Sequence, residues 1–211
     1  MNARERVLAA SQGKPVDRRP ISLTLSLYGA KLTGCPLSEH YSSPTAYVRG
    51  QSAVLETFRP DVLFGPFAIP LEASAFGSEV RYFENQAPQV AHPAISSADE
   101  IGQLAFPNVD SHPNLTYFRE AVRLLAAKYR DEVAIAAIAS SPIDLPALLM
   151  GIESWLDALL FDEDGAKRVL EMIVAHSVRW IKALLGEGAD IVIMPGAFIN
   201  PAIVSRRVAA E

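Results

Sequence analysis

Residues 133–140, VAIAAIAS, form an apolar run with no alternation, flanked on both sides by stretches of helical period. A strand this uniformly apolar must be covered on both faces. Helices that precede and follow it supply that cover in parallel α/β folds. The same succession recurs along the chain. Residues 21–27 (ISLTLSL) alternate at strand period, and residues 45–58 carry helical spacing at Tyr47, Val54, Leu55 and Phe58. DVLFGPF then reads as a second strand, the apolar run above as a third, and residues 190–194 as a fourth. Helices are expected at 115–129, 145–160 and 162–188, the last closed by Gly186 and Gly188, with a further helix beginning near Ser205. A short helix at about 2–13, capped by Asn2, precedes the first strand.

Buried strands joined through helices pair in parallel with right-handed crossovers. The expected architecture is therefore a single α/β domain over residues 1–211, either a doubly wound sheet or a barrel. The segment at about 80–113 is punctuated by Pro88, Pro93, Pro107 and Pro113, and reads as an insertion wrapping one end of the fold. Its extended piece lies at 80–83.

Composition limits the function classes. The chain of 211 residues is 50% hydrophobic and 20% charged, enough for a sizeable core. Its formal net charge is -5, with 19 scattered basic residues and so no footprint for nucleic acid or an anionic membrane. The lone Cys35 forms no internal disulfide, and MNARERVLAA has no apolar signal region, so a cytoplasmic location is expected. No apolar stretch approaches the roughly 20 residues that cross a bilayer.

Ligands of parallel α/β folds sit at the carboxyl ends of the strands. The loops there offer Tyr28, Lys31, Thr33 and Cys35, then Glu72, then Ser140, Ser141 and Asp144, then Asn200 and Ser205. Glu72 stands in an apolar run, PLEASAFG, where a carboxylate is expensive to bury without a partner, and this makes it a candidate for acid/base work. It is also placed as a first-turn helix carboxylate. Asp144 is a second catalytic candidate and equally a helix cap. Tyr28, Lys31, Ser141 and Asn200 are the substrate-binding candidates. The histidines at 40, 92, 112 and 176 form no HxxxH or HxC pattern and no CxxC exists, so no metal site is expected within the chain. Phosphate-cradling glycine loops and a GxSxG elbow are absent too.

Three segments together, RERVLAASQGKPVDRRP, FGPFAIPLEASAFGSEV and LLGEGADIVIMPGAFINPAIVS, resemble the uroporphyrinogen decarboxylase superfamily. Within it they are most similar to the methylcobamide-dependent methyltransferases, including those that methylate coenzyme M. The resemblance covers about the first 60% of such a protein. It implies a (β/α)8 TIM-barrel type of fold with four strand–helix units present, a half barrel. It also implies zinc and a methylcobamide as cofactors, with the zinc ligands, an HxC pair and a later cysteine, expected in strands beyond Glu211. Glu72 matches a glutamate of the EAxAxG-like run in that branch.

The decarboxylases carry an arginine-rich segment after the first strand and an aspartate after the second. Here SLYGAKLTG has Lys31 as its one cation, and Gly65, Pro66 and Ala68 stand where the aspartate belongs. The resemblance therefore points to methyl transfer from a small-molecule or corrinoid-protein substrate to a thiol. Porphyrinogen decarboxylation is the first alternative, and a non-catalytic binding or assembly module the second. As a truncated barrel, the chain is expected to pair with itself or with a complementary C-terminal half.

Overall fold

The computed structural model describes residues 1–198, 200, 202, 203, 205 and 206. Helix α1 (Ala3–Ser11) begins with a capping box in which the Asn2 side chain accepts from the Glu5 amide at 2.8 Å and the Glu5 carboxylate accepts from the Asn2 amide at 2.9 Å. Helices α2 (Tyr28–Thr33), α3 (Leu37–His40) and α4 (Pro44–Phe58) lead to strand β1 (Val62–Phe64) and the short α5 (Ile69–Ala73). A hairpin of β2 (Glu79–Arg81) and β3 (Gln89–His92) follows, then α6 (Pro113–Tyr129), β4 (Ala134–Ile138), α7 (Leu145–Met150), α8 (Ile152–Phe161), α9 (Glu163–Gly186) and β5 (Ile191–Ile193). Among the described residues, no helix is long and apolar enough to cross a membrane.

The main sheet is parallel and runs β1-β4-β5, with Ser22 bridged in parallel to Val62 on the β1 side. Its spatial order is thus the chain order. A doubly wound sheet reverses at a switch point, whereas successive neighbours in one direction are what a barrel wall requires. Every residue of β4 is buried, as its uniform apolar run demands.

The alternating segment 21–27 departs from expectation. It joins the sheet through the Ser22 bridge and then turns into α2. Its carbonyls are taken by other partners: Leu25 O accepts from the Gly29 amide at 3.3 Å, and Ser26 O accepts from His40 Nε2 at 2.9 Å. Gln51 Nε2 reaches both carbonyls at 3.4 Å. The 145–160 helix is also divided, because Gly151 adopts φ +88°, a conformation closed to most side chains, and ends α7 as it starts α8. The Pro-rich segment does more than wrap a surface: Ile95, Ala98 and Ile101 are buried in a core with Trp155, Val169 and Ile173. The helix anticipated near Ser205 falls largely on residues 204 and 207–211, outside the described residues.

Two aspartates lock the amino ends of the strands. Asp61, just before β1, accepts from Arg6 Nη1 at 2.6 Å, Arg18 Nη1 at 2.7 Å and the Ile21 amide at 2.6 Å. Asp190, just before β5, accepts from Arg4 Nη2 at 2.8 Å and the Ile135 amide at 3.1 Å. Helix α1 is thereby clamped across that end of the sheet, away from the carboxyl ends.

Helices α2 and α4 cross at Gly29 and Gly50. A Cβ on Gly29 would stand 2.7 Å from the Gly50 carbonyl carbon, and one on Gly50 would stand 2.9 Å from both the Gly29 carbonyl carbon and His40 Cε1. Gly50→Ala is expected to lower stability by about 1–3 kcal/mol, measured by denaturant unfolding, because backbone must move to admit the methyl group.

Candidate functional site

A cleft of about 390 Å³ opens where the 21–27 segment and β1 deliver their carboxyl ends. Ser26 and Leu27 form one side, Phe67, Ala68 and Ile69 the next, and Tyr41, Pro88 and Leu148 belong to the rest of the wall, which also carries the polar Thr24 and Gln89. None of the described residues lining it is charged. A larger hollow of about 560 Å³ lies between α4 and α6, lined by Val48, Arg49, Leu124 and Lys128 among others. That hollow is on the outer helical layer, remote from the strand ends, so the smaller cleft is the candidate site.

Ser26 is the hub of the cleft's inner side. Its Oγ accepts from the Phe67 amide at 3.0 Å and meets Tyr47 Oη at 2.9 Å. Tyr47 Oη also reaches the carbonyls of Phe64 and Gly65 at 3.0 and 2.8 Å. The loop after β1 is therefore tied directly to the end of the first segment. His40 is fully buried beneath it, its Nε2 donating to Ser26 O.

Burial lowers the His40 pKa; the Ser26 carbonyl acts in the opposite sense, and the charge of Arg49 adds to the lowering. A histidine whose folded pKa lies below its unfolded value contributes stability that is complete above the ordinary pKa of 6.5 and is lost as the pH falls from there. The melting temperature is accordingly expected to be lower at pH 5.5 than at pH 7.5, and His40→Gln to shrink the difference.

The sequence candidates divide into groups. Glu72, on α5, is 1% exposed: Oε2 accepts from the Ser140 amide at 2.7 Å, and Oε1 meets His176 Nε2 at 3.1 Å. It is no surface carboxylate at a helix start. It ties the loop after β1 to the loop after β4 and to the middle of α9, where the His176 ring packs on Phe76 with centroids 4.8 Å apart. Asp144 does not cap α7 with its side chain. Its two oxygens instead accept from the Ala197 and Phe198 amides at 2.8 and 3.0 Å, holding the loop after β5. Ser141 supports it by accepting from the Asp144 amide at 3.2 Å. Neither Glu72 nor Asp144 lines the cleft.

Tyr28 and Lys31 lie on α2, with Lys31 Nζ 5.4 Å from the Tyr28 ring and that ring 5.8 Å from Phe58. They line the cleft no more than the carboxylates do. Asn200 is exposed and accepts from the Ala202 amide at 3.0 Å. Sequence reasoning missed Ser26, Tyr41 and His176 as functional candidates. His176 had a signal, since it occupies one face of α9 with the apolar Val169, Ile173, Trp180 and Leu184. Among the described residues, no group of three or more His, Cys, Asp or Glu could hold a metal ion. Zinc therefore has no fit to the residues at hand.

The family model described as uroporphyrinogen decarboxylase (URO-D) matches residues 2–208. The chain belongs to the URO-D family. Methylcobamide:CoM methyltransferase MtbA of Methanosarcina mazei is 23% identical over 202 residues, covering 94% of this chain and 58% of that protein. Methylcobamide:CoM methyltransferase MtaA of Methanosarcina barkeri is 22% identical over 205 residues, covering 95% and 60%. A uroporphyrinogen decarboxylase of Alkalilimnicola ehrlichii is 27% identical over 213 residues, covering 90% and 55%. This URO-D chain thus spans between about half and three fifths of the length of these curated relatives. A solved methyltransferase from Methanosarcina mazei superposes with a TM-score of 0.88 at 20% identity, over 99% of this chain and 63% of that one. The URO-D chain therefore has the TIM-barrel-type fold, in agreement with its consecutive parallel strands.

Proposed function

We propose that this URO-D chain forms the first four strand–helix units of a barrel that carries out corrinoid-dependent methyl transfer to a thiol. The observation that carries the reading is the uncharged cleft at the carboxyl ends of the strands. A porphyrinogen with several carboxylates and a developing positive charge calls for cations and a carboxylate in its pocket. A methyl group passing between a corrinoid and a thiol calls for a neutral wall that excludes water. Similarity to two methylcobamide:CoM methyltransferases supports this choice. Decarboxylation is the second reading, supported by the relative that bears that name.

In this proposal a methylcobamide supplies the methyl group when bound. This chain's own contribution is positional. Ser26 and Tyr47 fix the loop after β1 as one wall, while Glu72 holds that loop to the one after β4. Asp144 holds the loop after β5. Among the described residues β5 pairs with β4 alone, and in this reading its other edge takes a complementary C-terminal half or a second copy of the chain.

The test mixes this chain with a polypeptide carrying the C-terminal part of a family methyltransferase, methylcobalamin and the uncharged thiol 2-mercaptoethanol, and follows the cobalamin absorbance. Demethylation that needs both polypeptides is the expected result. Loss of carboxyl groups from uroporphyrinogen III under the same conditions, with no demethylation, would establish the second reading instead.

A further inference from the structure

Helix α8 carries an apolar ridge left uncovered among the described residues. Ile152, Leu156 and Leu160 recur at every fourth position along one face; Ile152 and Leu160 are 60% and 49% exposed, and Leu156 is partly buried. Phe161, which ends the helix, is 83% exposed. Solitary exposed apolar side chains are ordinary, but a contiguous group of them marks an interaction surface. The opposite side of α8 is already occupied, since Trp155 and Ala158 pack into the core with Val169 and Ile173.

Beside Phe161 lies a hollow of about 300 Å³ between α8 and residues 96–99, lined by Ser97, Asp99, Ser154, Asp157 and Asp162 among others. It shares no residue with the cleft at the strand ends, and β5 contributes none to it. The surroundings are acidic: residues 96–99 and 152–168 hold Asp99, Glu153, Asp157, Asp162, Glu163 and Asp164 against Lys167 and Arg168. Arg168 Nη2 is engaged by Asp99 at 3.2 Å, and Asp162 Oδ1 accepts from the Gly165 amide at 3.0 Å. The carboxylates of Glu153, Asp157, Glu163 and Asp164 have no hydrogen-bond or ion-pair partner among the described residues.

We propose that this surface docks a basic amphipathic helix of a partner protein, its apolar face on Ile152, Leu156 and Leu160 and a Lys or Arg side chain in the hollow beside the Phe161 ring. The ridge has the spacing that a helical partner meets with its own apolar stripe. The open carboxylates select positive charge, and the exposed aromatic face adds cation–π attraction. A second copy of this chain meeting the ridge face to face would set Glu153 and Asp157 against their own counterparts, and an anionic membrane would be repelled as well. The surface is separate from the strand-end cleft, so the proposal stands or falls independently of the methyl-transfer reading.

Fluorescence anisotropy of the labelled peptide LKKLLKLLKKLLKL, titrated with the 211-residue chain, tests the proposal against LEELLELLEELLEL, which has the same apolar face and the opposite charge. The basic peptide is expected to bind at least about tenfold more tightly. Phe161→Ala and Leu160→Ser, at exposed positions that leave the core intact, should each weaken it about fivefold. Asp157→Lys should weaken it too and flatten its dependence on salt. Val178→Ser, at an exposed apolar position on α9 outside the ridge, should leave the affinity unchanged. Equal binding of the two peptides, or equal losses in Val178→Ser and Phe161→Ala, would overturn the proposal. So would a concentration-dependent dimer in sedimentation that Phe161→Ala abolishes, which assigns the ridge to a second copy. Displacement of the basic peptide by the C-terminal polypeptide of the methyl-transfer test would overturn it as well, by assigning the ridge to the rest of the barrel.

Discussion

Replacing Glu72 by alanine is expected to lower stability by about 3–5 kcal/mol, the usual consequence of removing one member of a buried, hydrogen-bonded polar pair. The size follows from what is left behind. The Ser140 amide and His176 Nε2 both lose their acceptor at positions 1% and 0% exposed, where water does not replace it. His176 Nδ1 has no hydrogen-bond partner already, so the ring would be left with none. Glu72→Gln should cost less, because the amide oxygen still accepts from Ser140 and the imidazole is able to present its other tautomer to the amide nitrogen. Urea unfolding of the three proteins measures the difference. A Glu72→Ala cost below about 1 kcal/mol would mean that the carboxylate does not join the two loops to α9.

The second large effect is expected at the opposite end of the strands. Burial would raise the Asp61 pKa, but the bonds from Arg18, the Ile21 amide and Arg6, together with the charge of Arg18, outweigh it and hold the carboxyl below its ordinary value of 3.8. For an acid with a depressed folded pKa, the stabilisation is present above the unfolded value and is lost as the pH falls through the lower folded one. Asp190 shifts in the same direction: burial opposes the shift, while the Arg4 and Ile135 hydrogen bonds and the charges of Arg4 and Arg130 prevail. Stability should therefore hold constant with respect to these two groups above about pH 5 and fall below pH 4. Asp61→Asn is expected to cost on the order of 3 kcal/mol at pH 7. It should also flatten the acid limb, since the unfolded chain then has one less carboxylate to protonate preferentially. Equilibrium unfolding between pH 3 and 7 checks both statements, and an unchanged acid limb in Asp61→Asn would refute the assignment.

The sequence made the layered part of this molecule legible because burial there is a matter of pattern. The apolar run at 133–140 could only be a covered strand, and the spacing of Phe118, Val122 and Leu125 could only place α6 on a core. Segment 21–27 misled because strand period reports which face a side chain takes, not where the carbonyls find donors. His40 and Gln51, remote in sequence, took those carbonyls. Glu72 was legible as a carboxylate in an apolar run, and its burial follows from that. Its partners Ser140 and His176 lie 68 and 104 residues away, a distance no local pattern spans. Asp144 was read through its own helix, although the amides it serves belong to the loop after β5. Tyr41 gave no signal, because a tyrosine between polar residues looks like surface until the fold closes over it.

Hydrogen exchange in the presence and absence of methylcobalamin addresses the location of the function most directly. Slowed exchange at the amides of Leu27, Phe67, Ala68 and Ile69, around the carboxyl ends of the strands, is the expected result. Unchanged exchange there, with slowing at Val48, Ser52 and Leu124 in the hollow between α4 and α6, would contradict the account.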